Sequence, residues 1–187
     1  MQYFSFALAK MPYMGVGRNL GIDKNYVLQN QDKIKGQNLA SGDDDLMINA
    51  LANGKNTEIC IDPDSFMYSA PKHTWGAFFR QKTRHIGTSF YYRTLHKLLL
   101  GTYSASQIAF YLVLATATFL GTLSAKWFFI LLLAKWLIQF IVNAGAMIKL
   151  KETDLIWKFP FLDILHFLYL CILPFYFLLY KKNTTWN

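Results

Sequence analysis

Residues 104–123, SASQIAFYLVLATATFLGTL, hold no charged side chain across twenty consecutive positions. A helix of that length extends about 30 Å at 1.5 Å per residue, the thickness of a bilayer's hydrocarbon core. Two similar runs follow: residues 127–148, WFFILLLAKWLIQFIVNAGAMI, after a very short turn at Ser124–Lys126, and residues 161–180, FLDILHFLYLCILPFYFLLY. The third run carries Asp163 and His166 near its start and Pro174 inside, which a membrane helix tolerates when neighbours satisfy the freed carbonyl. Tyr103, Trp127, Trp157 and Tyr180 fall near run ends, where aromatic side chains anchor at the interface. The pattern predicts a transmembrane region of about three helices within residues 103–187.

Composition agrees. The 187 residues are 53% hydrophobic, 17% aromatic and 16% charged. That excludes a disordered chain and falls below the quarter or so of charged residues usual in a soluble domain. The net charge of +8 suits anionic partners: phospholipid headgroups or phosphorylated substrates. Nucleic acid fits poorly, because the surplus is spread thinly, with 12 Lys and Arg against 8 acids in residues 1–100 and 7 against 3 in residues 101–187. Cys60 and Cys171 lie far apart with no metal-ligand spacing, and read as reduced packing residues with no metal.

Residues 1–14, MQYFSFALAKMPYM, lack a basic start and a small-residue cleavage site, so residues 1–100 are expected to face the cytoplasm. Lys149, Lys151 and Lys158 then suit a cytoplasmic loop after a helical hairpin, whereas Lys181 and Lys182 land outside, against the positive-inside rule. The third run is therefore re-entrant or the topology less simple. Lys135 sits within the second run; with no acid in that run, the preferred reading is a side chain that snorkels to the interface, the other being a phosphate or carboxylate contact inside the bundle.

The first hundred residues read as short mixed α/β pieces. Gly15–Leu20 suits a strand end with a turn, Asp23–Gly36 a polar loop, Leu46–Asn53 a helix capped by Ser41, Thr57–Ile61 a strand, and Trp75–His85 a helix. Phe90–Leu100 mixes aromatic and basic residues, predicting an amphipathic helix in the headgroup plane over residues 89–102, or else an extension of the first membrane helix.

Two motifs carry the chemistry. In Ser41-Gly42-Asp43-Asp44-Asp45-Leu46, neighbouring carboxylates raise one another's proton affinity and offer a general base; the same acids also complement a helix start. In Gln81-Lys82-Thr83-Arg84-His85, residues 81, 84 and 85 share one helix face, which suits paired hydrogen bonds to a pyrophosphate or an ordinary solvated surface. Gly15-Val16-Gly17 lacks dinucleotide-loop spacing; the glycines instead permit a tight backbone that points Arg18 and Asn19 into a pocket.

Taken in order, PYMGVGRNL (12–20), SGDDDL (41–46), PKHTW (71–75) and QKTRH (81–85), followed by membrane runs, resemble the C-terminal part of a membrane-anchored bacterial family 2 glycosyltransferase. The resemblance covers the chain up to the first membrane run. It implies an α/β partial GT-A domain, the acceptor half, over residues 1–88, followed by the helical membrane region. It implies Asp44 as the base that deprotonates an acceptor hydroxyl, in direct displacement with inversion, and Asp43 as its support. Gln81 and Arg84 would bind the donor diphosphate and the acceptor end. His85 stands where the family usually has Trp, giving a smaller, titratable platform, and Gly17, Arg18 and Asn19 would line the acceptor side. The implied partners are a nucleotide-sugar donor, a lipid or glycan acceptor and the bacterial inner membrane.

The family's Mg²⁺ or Mn²⁺ ligands, an Asp-x-Asp pair in the nucleotide-binding half, are not expected in this chain. Only 42 residues precede Asp43, too few for successive βα units of about thirty residues each. The expectation is a fragment, inactive alone, whose unpaired strand edges would make residues 1–100 unstable by themselves. A non-catalytic membrane scaffold derived from the family, or one subunit of a split enzyme completed by a chain carrying the nucleotide half, are the alternatives.

Overall fold

The computed structural model describes residues 2–36, 39 and 42–180. Ser41, expected as a helix cap, and Lys181 and Lys182, on which the topology reading leaned, lie outside the described residues. Regular structure is helical: α1 (Gln2–Leu8), α2 (Lys24–Gln29), α3 (Asp43–Leu51), α4 (Trp75–Ser89), α5 (Thr94–Phe119), α6 (Ala125–Lys149) and α7 (Phe159–Tyr180). Short 3-10 turns lie at Gly17–Asn19, Gln31–Lys33, Pro63–Ser65 and Thr153–Leu155.

Among the described residues there is no β-strand, only an isolated bridge position at Leu39. This overturns the α/β partial GT-A expectation. Alternation makes a strand only where a neighbouring strand accepts its N–H and C=O groups; Thr57–Ile61 has no such neighbour and is irregular. Gly17–Asn19 is a 3-10 turn rather than a strand end, and the polar stretch Asp23–Gly36 contains α2. With no sheet, the open strand edges anticipated for residues 1–100 do not arise among the described residues.

Local chemistry sets the helix starts. Asp23 accepts from Tyr26 N at 3.1 Å and Thr74 from Ala77 N at 3.2 Å, each satisfying an orphan first-turn donor. The start of α3 differs: three acids fill its first turn, where they complement the helix dipole, and its cap is Gly42 at φ 90°. A Cβ at Gly42 would overlap the buried Thr88 side chain on α4. Gly42→Ala is expected to cost about 1–3 kcal/mol from the left-handed backbone alone, read as a lower melting temperature of the helical signal.

The chain divides into two compact units, Met1–Leu99 with Leu173–Asn187, and Leu100–Ile172. In the first, Tyr13, Leu46, Leu51, Ala52 and Tyr92 are buried together with the polar Asp45, Asn49, Thr83, Thr88 and His96. Aromatic edges knit this core, with Tyr13 4.9 Å from Phe6 and 5.9 Å from Tyr92 between ring centres. The end of α7 joins it, Tyr176 stacking on Phe79 at 5.2 Å. Cys60, expected as a packing residue, is exposed; hydrogen bonding of its sulfur with the Ser65 hydroxyl, ahead of that with the Asp62 backbone, favours the thiolate and lowers its pKa.

Three helices are long and apolar enough to cross a membrane: Thr94–Phe119, Ala125–Lys149 and Phe159–Leu179. None of the apolar window of α6 is buried inside the protein, and Phe129, Leu133, Leu137, Ile141 and Val142 all point outward. Apolar faces of that extent are compatible with a lipid surround. The stretch expected as a separate interfacial helix is a link, Phe90–Arg93, followed by the opening turns of α5, which runs on unbroken. The turn after α5 lies earlier than expected, at residues 120–124; Gly121 supplies its φ of 71° and Lys126 is already helical.

Within the second unit the snorkelling reading of Lys135 is overturned. Its Nζ donates to Asp163 Oδ2 on α7 at 2.5 Å, and only 11% and 5% of the two side chains are exposed. The same oxygen accepts from the Tyr111 hydroxyl on α5 and from Trp136 Nε1 at 3.0 Å. Lys135 Nζ also lies 4.4 Å from the centre of the Tyr111 ring, a cation–π distance. One carboxylate oxygen thus ties three helices together. The acid missing from the run of Lys135 stands in the next run.

Candidate functional site

The site is built on the first turn of α3. Asp43, Asp44 and Asp45 follow one another at about 100° around the helix axis, so each meets a different environment. Asp43 is exposed and lines a cavity of about 260 Å³ with Val27, Gln31 and Met47. Asp44 is half-buried, and its Oδ2 accepts from Gly17 N at 2.7 Å. A Cβ on Gly17 would come within 3.0 Å of that oxygen, so the close approach of backbone to carboxylate depends on glycine. The bond orients one oxygen of Asp44 and leaves the other able to take a proton.

Asp45 is fully buried, and its Oδ2 lies 3.3 Å from His85 Nδ1. A carboxylate can only accept, so the contact assigns a proton to Nδ1 of the half-exposed His85. Asp45 Oδ1 is buried without a hydrogen-bond partner among the described residues. Burial followed by the negative charge of Asp45 raises the nearby phenols, Tyr13 to about 12 and Tyr92 further. Since the folded protein holds these protons more tightly than an unfolded chain at the ordinary value of 10.0, their contribution to stability is complete below that pH. It is lost as pH rises through about 12. Helical signal and tyrosinate absorbance are expected to change together in that window in an alkaline titration; ionisation without loss of structure would contradict the burial of both rings.

One turn on, Asn49 occupies the same face as Asp45. Its Nδ2 donates to Tyr13 O at 2.8 Å and lies 3.0 Å from His96 Nδ1, while its Oδ1 accepts from Arg93 N at 2.8 Å. Asn49 therefore clamps the start of α5 against α3. On α4, Thr88 closes the site by donating to His85 O at 2.8 Å.

The structure therefore joins the two sequence motifs, through Asp45 and His85. Asp44 and Arg84 flank that pair but make no ion pair with each other, and Arg84 is exposed. Gln81 is half-buried on the same helix. Of the Gly17–Asn19 turn, Gly17 reaches Asp44, Arg18 is exposed, and Asn19 Nδ2 is committed to Ser65 O at 3.0 Å rather than directed into a cleft. Sequence reasoning gave Asp45 no role of its own and passed over Asn49 and His96. The signal for two of them is the spacing: residues 45 and 49 are polar groups one turn apart beside Leu46, a core position.

Among the described residues no group of three or more His, Cys, Asp or Glu is arranged to hold a metal. Asp43 and Asp45, though spaced as Asp-x-Asp, diverge to solvent and to the core, and Asp62 caps its own turn by accepting from Asp64 N at 3.0 Å. Among the described residues these acids do not fit the divalent ion implied by the resemblance.

A family model described as glycosyl transferase family group 2 matches residues 1–180 of the chain. Comparisons with curated proteins and with solved structures give no match.

Proposed function

The chain belongs to glycosyl transferase family group 2, and we propose that it supplies the acceptor side of an inverting sugar transfer at the bacterial inner membrane. The observation that carries this reading is the hydrogen bond from Gly17 N to Asp44, which aims a half-buried carboxylate whose other oxygen has no partner among the described residues. In the proposed reaction, the acceptor hydroxyl oxygen attacks the anomeric carbon of a nucleotide-sugar. The bond from that carbon to the diphosphate breaks as the new one forms, and the hydroxyl proton passes to Asp44. Asp43 adds negative charge at the same helix end. The leaving diphosphate carries its electron pair away, and Arg84, exposed and in no ion pair among the described residues, is proposed to meet it with paired N–H groups. Gln81 offers both donor and acceptor to sugar hydroxyls.

His85 takes a role that differs from a Trp platform. Anchored by Asp45 through Nδ1, it presents Nε2 toward a sugar hydroxyl or lipid-linked glycan. Gly17 and Arg18 border the same region. The described residues hold no βα unit able to bind a nucleotide. Protein outside them, in the same polypeptide or a separate chain, is the proposed source of donor binding, and these residues alone are proposed to be inactive.

The test is nucleotide-sugar turnover in native membranes carrying the wild type, Asp44→Asn or Arg84→Ala. Both variants are expected to lose transfer, Arg84→Ala with weaker retention of the nucleoside diphosphate product. Full activity in Asp44→Asn would remove the assigned base and leave a membrane scaffold as the better account.

A further inference from the structure

We propose that a cavity at the head of α5 binds a phosphate or pyrophosphate group, held by Lys33, Lys35, Arg93 and Lys97. The cavity measures about 330 Å³ and all four cations line it, with Thr94 and Tyr91. No Asp or Glu lines it. None of the four takes part in any ion pair among the described residues. The hydrogen bonds they make go to neutral groups: Lys33 Nζ to Asn30 Oδ1 at 2.6 Å, Arg93 to Ala50 O at 2.7 Å and Lys97 Nζ to Phe90 O at 3.4 Å. Four positive charges around one concave surface repel each other and focus a positive potential into it. A group carrying two or more negative charges relieves that repulsion, and its oxygens accept charge-assisted hydrogen bonds from every side.

The frame is built for this rather than incidental. Asn49 Oδ1 holds the Arg93 backbone at 2.8 Å, and the Ala50 carbonyl fixes the guanidinium, so the central cation is aimed before any ligand arrives. Lys97 belongs to the first turn of α5, and immediately after it the helix becomes Leu98-Leu99-Leu100. The site thus stands where a helix apolar enough to cross a bilayer begins, at the level of headgroup phosphates. The ligand chemistry is one, a phosphate or pyrophosphate; its source is either a free diphosphate or the headgroup of an amphiphile. Neither Asp44 nor Arg84 takes part, so the site stands or falls apart from the sugar-transfer reading.

The experiment uses the full chain purified in an uncharged detergent. Titration calorimetry with inorganic pyrophosphate measures the free source. Reconstitution into phosphatidylcholine vesicles containing phosphatidic acid, re-extraction and mass spectrometry of retained lipid measure the headgroup source. The wild type is expected to bind in at least one arm. Lys35→Glu with Lys97→Glu is expected to weaken binding about tenfold or more, while Lys35→Arg with Lys97→Arg retains it. Pyrophosphate binding alone identifies a free diphosphate, phosphatidic acid retention alone a lipid headgroup, and mutual displacement a site open to both. Lys35 is exposed and makes no hydrogen bond among the described residues, so Lys35→Gln gives a folded comparison, expected to bind several-fold more weakly, should the double charge reversal fail to fold. Absence of binding in both arms, or equal binding by wild type and the Lys35 variants, overturns the proposal.

Discussion

If Asp44 is the proposed base, Asp44→Asn is expected to lower sugar transfer by about 100- to 10,000-fold, the range that general-base catalysis contributes, with helical content and melting unchanged. The substitution separates chemistry from architecture because an Asn side-chain oxygen still accepts the Gly17 N–H that Asp44 Oδ2 accepts at 2.7 Å. What it would lose, in the proposed reaction, is the ability to carry the acceptor's proton away. Donor binding is untouched, so the loss falls on turnover and not on the donor concentration needed for half-maximal rate. Asp45→Asn serves as the contrast. Asp45 is fully buried and engaged with His85, so its amide loses charge in the core and is expected to shift the melt as well as the rate. Equal losses in the two variants without a stability difference would mean that the base had been placed on the wrong carboxylate.

The second large effect lies in the membrane region. Asp163→Leu is expected to destabilise the Leu100–Ile172 unit by about 3–5 kcal/mol, the cost of removing one partner of a buried ion pair. The reason is the stranded partner: Lys135 would keep its charge among apolar helices with no carboxylate, and the Tyr111 and Trp136 donors would lose their shared acceptor. Adding Lys135→Met to Asp163→Leu removes the stranded charge, and the double variant is expected to recover most of the loss, since apolar replacement of a whole buried pair is often neutral or stabilising. Thermal melting of the helical signal in detergent distinguishes the cases. A single variant as stable as the wild type would show that Lys135 reaches water after all.

That ion pair marks the boundary of what was legible in the residues. Run lengths announced three membrane helices, and the helices formed where hydropathy put them. Yet Lys135 and Asp163 were each read within their own run, although each is the lone charged residue of its apolar stretch and the two are of opposite sign. Pairing them needs knowledge of which helices touch. The α/β expectation failed for a related reason: Thr57–Ile61 has the alternation of a strand, but alternation is a local property and a sheet is not. Among the motifs, Asp43–Asp45 open α3, three residues before the expected start at Leu46. Which acid faces which environment followed from the rotation of α3 against α4, and Gly42, with its left-handed φ and its contact with Thr88, sets that approach.

The residues by themselves determined the three apolar helices, the charge surplus and the two polar motifs, because length, hydropathy and motif order are properties of consecutive residues. Only the tertiary structure decided that Asp45 enters the core against His85, that Gly17 reaches back to Asp44 and that Lys135 answers Asp163. These partners stand 40, 27 and 28 positions apart, and a charge or carboxylate takes its chemical character from what folding sets beside it.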